Sequence, residues 1–331
     1  MKLSVLKAYK FRIYPDGQQK QFFIETFGCV RFTYNQLLKA KMDELANKEV
    51  KLGLTPAKLK KDYPFLKETD SLALANAQRN LERAFRNYFQ KRAGFPKMKT
   101  KKSHWQSYTT NNQQHTIYFD GDQLKLPKLK SLVPVKRHRE IKGTIKSATI
   151  SAKDGVEFYV SILCLEEIAP LPKQQQNIAI VFDSTRLVHA SQHLPVECTY
   201  ALSTQQKLAR AENKLLIKAK AVKRKKMLLN NARNYQKQKG KVAKLYRRHS
   251  CQKREYIDQM SYHLVKQYDA IFIEKISEDI ISTGNYTISD WHQFVRKIQY
   301  KAQWYGKELH FVTLSAIGEH KMTEIMAQMG S

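Results

Sequence analysis

Two acidic residues in this chain stand where chemistry is commonly done, at the ends of short apolar, β-branched runs. Ile178–Phe182 (I-A-I-V-F) is followed at once by Asp183-Ser184-Thr185, and Asp269–Ser277 (D-A-I-F-I-E-K-I-S) carries Glu274 at the end of its apolar stretch. Each reads as a buried strand running into a polar turn. Carboxylates gathered from separate segments can hold divalent cations, and two cations a few ångströms apart need several of them for neutralisation. Other ligand types offer less. Cys29, Cys164, Cys198 and Cys251 form no C-x-x-C pair, and eight of the ten histidines (His104, His115, His138, His189, His193, His249, His263, His310) are read as no metal-binding cluster.

Positive charge is the larger resource. The chain has 331 residues with 59 Lys+Arg against 29 Asp+Glu, a formal charge of +30, which suits a polyanion far better than a small neutral substrate. Between Lys207 and Arg254 there are eighteen Lys and Arg and one acid, Glu212. Charges so crowded repel one another, and a bound polyanion relieves the strain. Tyrosine and phenylalanine interleaved with the charge favour nucleic acid over lipid, because they give bases something to stack on. A hydrophobic content of 42% is ample for the cores of two or three small domains. Met1–Lys10 is no secretory signal, the cysteines are unpaired and no apolar run is long enough to span a bilayer, so a reduced cytosol is the expected compartment.

The elements that must position these residues follow from periodicity. Leu3–Tyr14 alternates apolar and basic residues as a strand with one wet face, and Pro15-Asp16-Gly17 turns it. From Gln18 to about Ala46 an apolar stripe of Phe23, Phe27, Val30, Tyr34, Leu37 and Leu38 predicts a helix. Pro64 breaks the connection that follows, and Asp70 or Ser71 can cap a second helix with Leu74, Ala77, Leu81, Phe85, Tyr88 and Phe89 buried. Arg79, Arg83 and Arg86 fall largely off that stripe and lead into Lys91, Arg92, Lys97, Lys99, Lys101 and Lys102, a set best matched to phosphates.

Between His104 and Glu167 the period becomes two. Asp120-Gly121-Asp122 and Lys153-Asp154-Gly155 are the turns of two hairpins, and a small antiparallel barrel closed by the N-terminal strand is expected. Pro170-Leu171-Pro172 and Gln174–Gln176 mark a linker. Leu208, Ala211, Leu215, Ala219 and Val222 predict an amphipathic helix, loosened over Asn230–Gly240 before another. Thr287–Gly306 reads as a helix, Glu308–Thr313 as a strand and Leu314–Met329 as a terminal helix.

In this order the segments resemble the transposon-encoded TnpB (OrfB) family of RNA-guided nucleases, akin to type V CRISPR effectors. The likeness covers about residues 5–313 and is carried by K-A-Y-K-F-R-I-Y-P (Lys7–Pro15), F-G-C-V-R-F-T-Y-N (Phe27–Asn35), L-K-L-P-K-L (Leu124–Leu129), I-F-I-E (Ile271–Glu274) and Y-K-A-Q-W-Y-G (Tyr300–Gly306). The resemblance implies an α+β, multidomain fold: an OB-like wedge β-barrel from 1–16 and 101–172, a helical recognition domain at 17–100, and an RNase-H-like RuvC domain at 173–331 with basic helices inserted at about 203–267.

In RuvC-type nucleases the first metal-binding strand has the form G-I-D-x-G. Laid on it without gaps, Ala179 and Ile180 match Gly-Ile, Val181 takes the place of the Asp and Asp183 falls on the second Gly. Glu274 matches the second carboxylate, while the third carboxylate and the zinc-binding C-x-x-C knuckles have no counterpart before Ser331. Asp183 lies two residues further along the strand, roughly 6–7 Å away. The reading that follows is a protein without nuclease activity, zinc or catalytic magnesium, resembling the TldR group of nuclease-dead TnpB homologues that act as RNA-guided transcriptional repressors. It implies a guide RNA, a double-stranded promoter target opened into an R-loop beside a short adjacent motif, a monomeric ribonucleoprotein without membrane attachment, and a bacterial cytoplasm. A decayed transposon nuclease remnant with residual RNA binding is the rival. By local match the adjacent motif is read by Ser71, Leu72, Ala75, Asn76, Thr110 and Asn111, residue types that include good partners for base edges. Contacts to the guide RNA and DNA backbone are expected from Lys7, Lys10, Arg12, Arg31, Asn35, Arg79, Arg83, Arg86, Lys97, Lys99, Arg224, Lys225, Arg233, Arg247 and Arg248.

Overall fold

A computed structural model describes residues 2–46, 53–192, 194, 199–276 and 284–313, so the helix expected at Leu314–Met329 lies outside the described residues. The chain divides into two compact units, Ser4–Glu167 and the part from Ile168 onward.

In the first unit, strand β1 (Leu3–Ile13) buries Val5, Tyr9, Phe11 and Ile13 on one face. Asp16 and Gln19 then start helix α1 (Gly17–Ala46) reciprocally: the Gln19 N–H donates to Asp16 Oδ1 at 2.8 Å and the Asp16 N–H to Gln19 Oε1 at 3.1 Å. The α1 stripe is buried as its spacing predicts, with Phe23 against Phe158 and Phe27 against Tyr108. Thr55 caps the short helix α2 (Pro56–Asp62), and Pro64 opens a 3-10 turn over Pro64–Glu68. Helix α3 (Ser71–Phe89) buries Leu74, Ala77, Leu81 and Phe85, while Tyr88 and Phe89 are exposed, contrary to the stripe expected from sequence.

Six more strands complete this unit: β2 (Trp105–Asn111), β3 (Tyr118–Asp120), β4 (Gln123–Lys125), β5 (Val133–Lys136), β6 (Thr144–Lys153) and β7 (Glu157–Ile168). Both expected hairpins form, the second through Asp154 and Gly155 at φ +52° and +67°, values the right-handed strand twist demands of a tight turn. The sheet order is β2-β6-β7-β1-β5-β4-β3, a curled half-barrel with two edges. A closed barrel was expected, but β2 and β3 stand at the two ends of the sheet order, and the chain reaches β3 through a turn with positive φ at Gln114 and His115 that breaks the extended run expected from His115.

In the second unit, β8 (Asn177–Asp183) and β9 (Leu187–Ala190) make a hairpin, and β10 (Ala270–Glu274) lies parallel to both β8 and β11 (Glu308–Val312). Helices α4 (Thr199–Arg224) and α5 (Arg233–Gln267) pack through Leu208, Ala211 and Val242. The break between them centres on a 3-10 turn at Leu229–Asn231, and Gly240, placed by the sequence in a loosened segment, lies inside α5. Helix α6 (Ile288–Tyr305) starts with a Thr287–Asp290 capping box and stops at Gly306, φ +67°. Ile178, Ile180, Ile257, Leu264, Ile271, Ile273, Trp291 and Phe294 form the core beneath the sheet.

Lys301 is 6% exposed and reaches the Asp258 carbonyl (2.7 Å), its Oδ1 (3.2 Å) and Ser261 Oγ (2.9 Å), while Lys297 also meets Asp258 Oδ1. Burial alone would raise the pKa of Asp258, but hydrogen bonds and charge from Lys297 and Lys301 outweigh it and hold the carboxyl below its usual range. The stability it contributes is therefore complete above the unfolded carboxyl's pKa of about 3.9 and is lost as pH falls through the lower folded value. Asp258→Asn should flatten the acid limb of a plot of melting midpoint against pH.

Gly143, at φ +79°, sets up the first rung between β6 and β7, and a Cβ there would stand 2.1 Å from the Leu165 carbonyl oxygen. Gly143→Ala should cost roughly 2–3 kcal/mol, read by calorimetry as a lower midpoint for the half-barrel's transition.

Candidate nucleic-acid interface

On the wet face of the half-barrel, cations and aromatic rings alternate across neighbouring strands. Lys10 and Arg12 stand two apart on β1, so they share a face, and β7 lies alongside them in the sheet. The Lys10 ammonium is 4.9 Å from the Tyr159 ring centroid and 5.2 Å from that of Trp105. Arg12 lies 5.1 Å over Tyr159, donates to its hydroxyl at 3.1 Å and pairs with Glu157 at 3.5 Å. Burial and the hydrogen bond to Glu157 raise the Tyr159 phenol above its usual range, so the ring stays neutral. Sequence reading singled out Lys10 and Arg12 but missed Tyr159 and Trp105. The local signal was there: Tyr159 lies between the buried Phe158 and Val160 and so had to face outward.

The other basic positions divide by how firmly they are held. Lys7 is half-buried and pairs with Glu166 at 3.2 Å. Arg31 donates to Gln106 Oε1 at 3.4 Å. Asn35 brackets the backbone of Lys99, accepting from its N–H at 2.9 Å and donating to its carbonyl at 3.0 Å, and the Lys99 ammonium sits 4.2 Å from the Tyr34 ring. Arg79, Arg83 and Arg86 are exposed on α3, and Lys97 is exposed in the segment after it. In the second unit Arg224, Lys225, Arg233, Arg247 and Arg248 are exposed along the α4–α5 hairpin. Gln238 fastens that hairpin by donating to the Ala211 carbonyl at 2.9 Å, and Tyr246 donates to Glu212, the one acid of Lys207–Arg254.

The residues expected to read an adjacent motif come from the start of α3 and the end of β2, and the fold brings the two together. Asn76 Nδ2 donates to the Thr109 carbonyl (2.9 Å) and to Asn111 Oδ1 (3.1 Å). Ser71 is exposed and accepts from Lys60 at 2.6 Å; Leu72 and Ala75 are half-buried. Thr110 is 1% exposed, its hydroxyl donating to Asp70, which explains why Asp70 stands at the α3 N-cap without a side-chain capping bond.

The strand-end carboxylates occupy different environments. In the parallel register Ile273 pairs with Ile180, so Glu274 and Val181 are the next step along. Val181 is 6% exposed and packs with Ala179, Val312 and Phe272. Glu274, 4% exposed, accepts the Phe182 N–H at 3.1 Å. Asp183 Oδ1 accepts from Thr185 and Arg186 N–H at 2.6 and 3.1 Å, closing the β8–β9 turn. One buried carboxylate beside an isopropyl group does not make a donor set for a pair of divalent ions, and among the described residues no three His, Cys, Asp or Glu side chains cluster as a metal site. His189 and His193 do fall four apart, a spacing the sequence reading passed over; His189 is an exposed residue of β9, not of a helix that would align i and i+4, and His193 lies outside the described residues. Among the described residues no helix is long and apolar enough to cross a membrane.

Comparison with known proteins gives these features a context. Residues 1–49 match a family described as a helix-turn-helix domain, although the described part of them folds as one strand and one helix, and residues 168–279 match a family described as a probable transposase. A Streptomyces pristinaespiralis protein with the provisional name RNA-guided DNA endonuclease is 27% identical over 326 residues, covering 93% of this chain and 78% of its own length. Escherichia coli K12 InsQ, under the same provisional name, is 26% identical over 336 residues, 92% of this chain and 79% of its own. The Salmonella dublin virulence protein VsdF is 35% identical over 113 residues, 29% of this chain and 95% of its own. A cryo-EM structure of a Cas12f1–sgRNA–target DNA complex shares the fold with TM-score 0.57 at 10% identity, covering 98% of this chain and 94% of that one. These relatives correct the expectation drawn from Val181 that the chain is no enzyme: along about nine-tenths of its length it aligns with proteins provisionally named RNA-guided DNA endonucleases.

Val181→Asp would place a second carboxylate in an apolar pocket beside Glu274. It should cost roughly 3–5 kcal/mol at neutral pH. Because such a group has a raised folded-state pKa, part of the loss should return on acidification, which melting curves at pH 7 and pH 5 would read.

Proposed function

This chain belongs to the TnpB/OrfB transposase superfamily, the kin of type V CRISPR effectors, and on that premise we propose that it binds a guide RNA and is directed by it to matching duplex DNA. The observation that carries the reading is the α4–α5 hairpin, whose stretch Lys207–Arg254 presents eighteen cations and one acid. No small substrate needs such a surface, whereas a folded RNA or a heteroduplex supplies phosphates along its whole length. Base pairing reads the sequence, and the protein reads shape and a short motif beside the target. For that motif we assign Ser71, Leu72, Ala75, Asn76 and Asn111 around the α3–β2 junction, with Thr110 positioning the strand through Asp70. The half-barrel then serves as a wedge, α1–α3 as a recognition domain, and the unit from Ile168 as a RuvC-like domain of transposon nuclease descent, all within a ribonucleoprotein of the bacterial cytoplasm.

An R-loop held open at a promoter obstructs RNA polymerase by occupancy, so repression is a second reading of the same binding. Nothing in this sequence chooses the target, which is written in the RNA.

The protein purified from its native cell should carry one dominant RNA species, and the complex should render a displaced DNA strand permanganate-reactive beside a fixed short motif. A heterogeneous mixture of bound RNAs would overturn the reading. Replacing Arg224 and Arg248 by Gln should leave the melting midpoint unchanged and lower the slope of log affinity against log salt by about 0.7 for each single-strand phosphate left without its arginine.

A further inference from the structure

Between α1 and the segment entering β2 lies a cleft of about 450 Å³, two of whose lining residues, Arg31 and Lys99, have figured so far only as contacts to the nucleic-acid backbone. Phe27 and Arg31 of α1 face Met98, Ser103, Trp105 and Gln106 across it, and none of its lining residues is acidic. The size and the mixture, an apolar floor with a few oriented polar groups, are those of a site for a small flat ligand.

Its walls are fixed before anything binds. Asn35 clamps the Lys99 backbone at one lip. Gln106 donates to the Lys101 carbonyl at 3.1 Å while its Oε1 accepts from Arg31, which holds amide and guanidinium together. Ser103 donates to the Trp105 carbonyl at 2.8 Å. Trp105 is nevertheless 48% exposed, an indole on an edge strand with a cation, Lys10, 5.2 Å from its centroid and Tyr159 at 6.1 Å. A large aromatic ring left in water at the mouth of a cation-lined cleft has the chemistry of a stacking platform.

We propose that this cleft receives an unpaired nucleobase of the bound RNA, its face on Trp105, its edge against Arg31 and Gln106, and a flanking phosphate near Lys10. The proposal rests on the RNA-binding reading above. It names a place where the protein takes hold of an unstacked base as well as the backbone. Charge complementarity selects the occupant: a neutral apolar ligand answers none of the guanidinium N–H groups that Arg31 does not give to Gln106, whereas a nucleotide offers a π-face, hydrogen-bonding edges and a negative charge at once.

Titration of the full chain with a labelled single-stranded RNA dodecamer and a blunt RNA duplex of equal length tests it. Trp105→Ala should weaken binding of the single strand by about 5- to 150-fold, Trp105→Phe should retain most of the affinity, and both variants should hold the duplex as the wild type does, because its bases are already stacked. The salt dependence should not change, since no charge is removed. Equal affinity of Trp105→Ala and wild type for the single strand, or an equal loss on strand and duplex, would overturn the cleft alone. A wild type that binds neither RNA would overturn the RNA reading with it. In a second arm, complexes with 4-thiouridine in the RNA or 4-thiothymidine in the DNA are irradiated. The tryptic peptide containing Trp105 should carry RNA, and its capture by DNA would refute the assignment. Unchanged melting midpoints establish that the variants fold, as an exposed edge-strand position predicts.

Discussion

A formal charge of +30 is the constraint that the rest of this molecule answers to. With 29 acids to 59 Lys and Arg, the fold cannot balance charge everywhere, and several of its acids sit against lysines that hold elements together. Asp258 joins α5 to α6 through Lys297 and Lys301. Asp290 adds Lys253 at 2.9 Å to its capping role, and Asp269 receives the Lys307 ammonium and the N–H groups of Gln174 and Gln175. A buried lysine without its acid would be an uncompensated charge, which costs more than the pair contributes, so these acids are structurally fixed. Other acids, Glu25, Glu82 and Glu140 among them, are exposed, but they are too few to offset the cations of Lys207–Arg254, where Glu212 is the one acid.

The same economy appears in the parallel sheet. Strands covered on both faces read as continuous apolar runs, and β8 and β10 do. In such a strand each polar side chain needs its own partner. Glu274 takes the Phe182 N–H and Asp183 takes two N–H groups of its turn, so both carboxylates work as parts of the fold at the point where Val181 packs as a hydrocarbon. Similarity to proteins provisionally named endonucleases and the local chemistry of β8 are thus separate facts. The first runs along most of the chain. The second concerns one side chain and its immediate neighbours.

Much of this could be read from the residues, because the decisive signals were local. The α1 stripe, the Pro64 break, the Asp-Gly turns and the helix over Thr287–Gly306 all depend on neighbours within a few positions, and all formed. What escaped were relations between distant segments. Asp70 looked like an ordinary helix cap until the fold set Thr110 against it, forty residues on. Asn35, expected at the nucleic-acid backbone, also clamps Lys99, sixty-four residues on. The barrel looked closed because alternation does not reveal where an extended run will be broken, and positive φ at Gln114 and His115 breaks the one expected from His115. Trp105 and Tyr159 were passed over for the same reason, since only the strand order β2-β6-β7-β1 places them beside Lys10.

Those two rings mark a division of labour that charge alone would hide. Contacts from the α4–α5 hairpin act through phosphates, so they are long-ranged, indifferent to sequence and weakened steeply by salt. A stack on Trp105 acts at van der Waals distance, resists salt and acts on a base only once it has left the helix. A protein with the first kind of contact alone would hold any polyanion in the cell. Adding a cleft that accepts one unpaired base makes affinity depend on the shape of a particular RNA, because only an RNA whose fold extrudes a base satisfies both kinds of contact. The clamps that Asn35 and Gln106 place around the cleft therefore matter as much as the indole: they keep the walls from rearranging around RNAs that offer no such base.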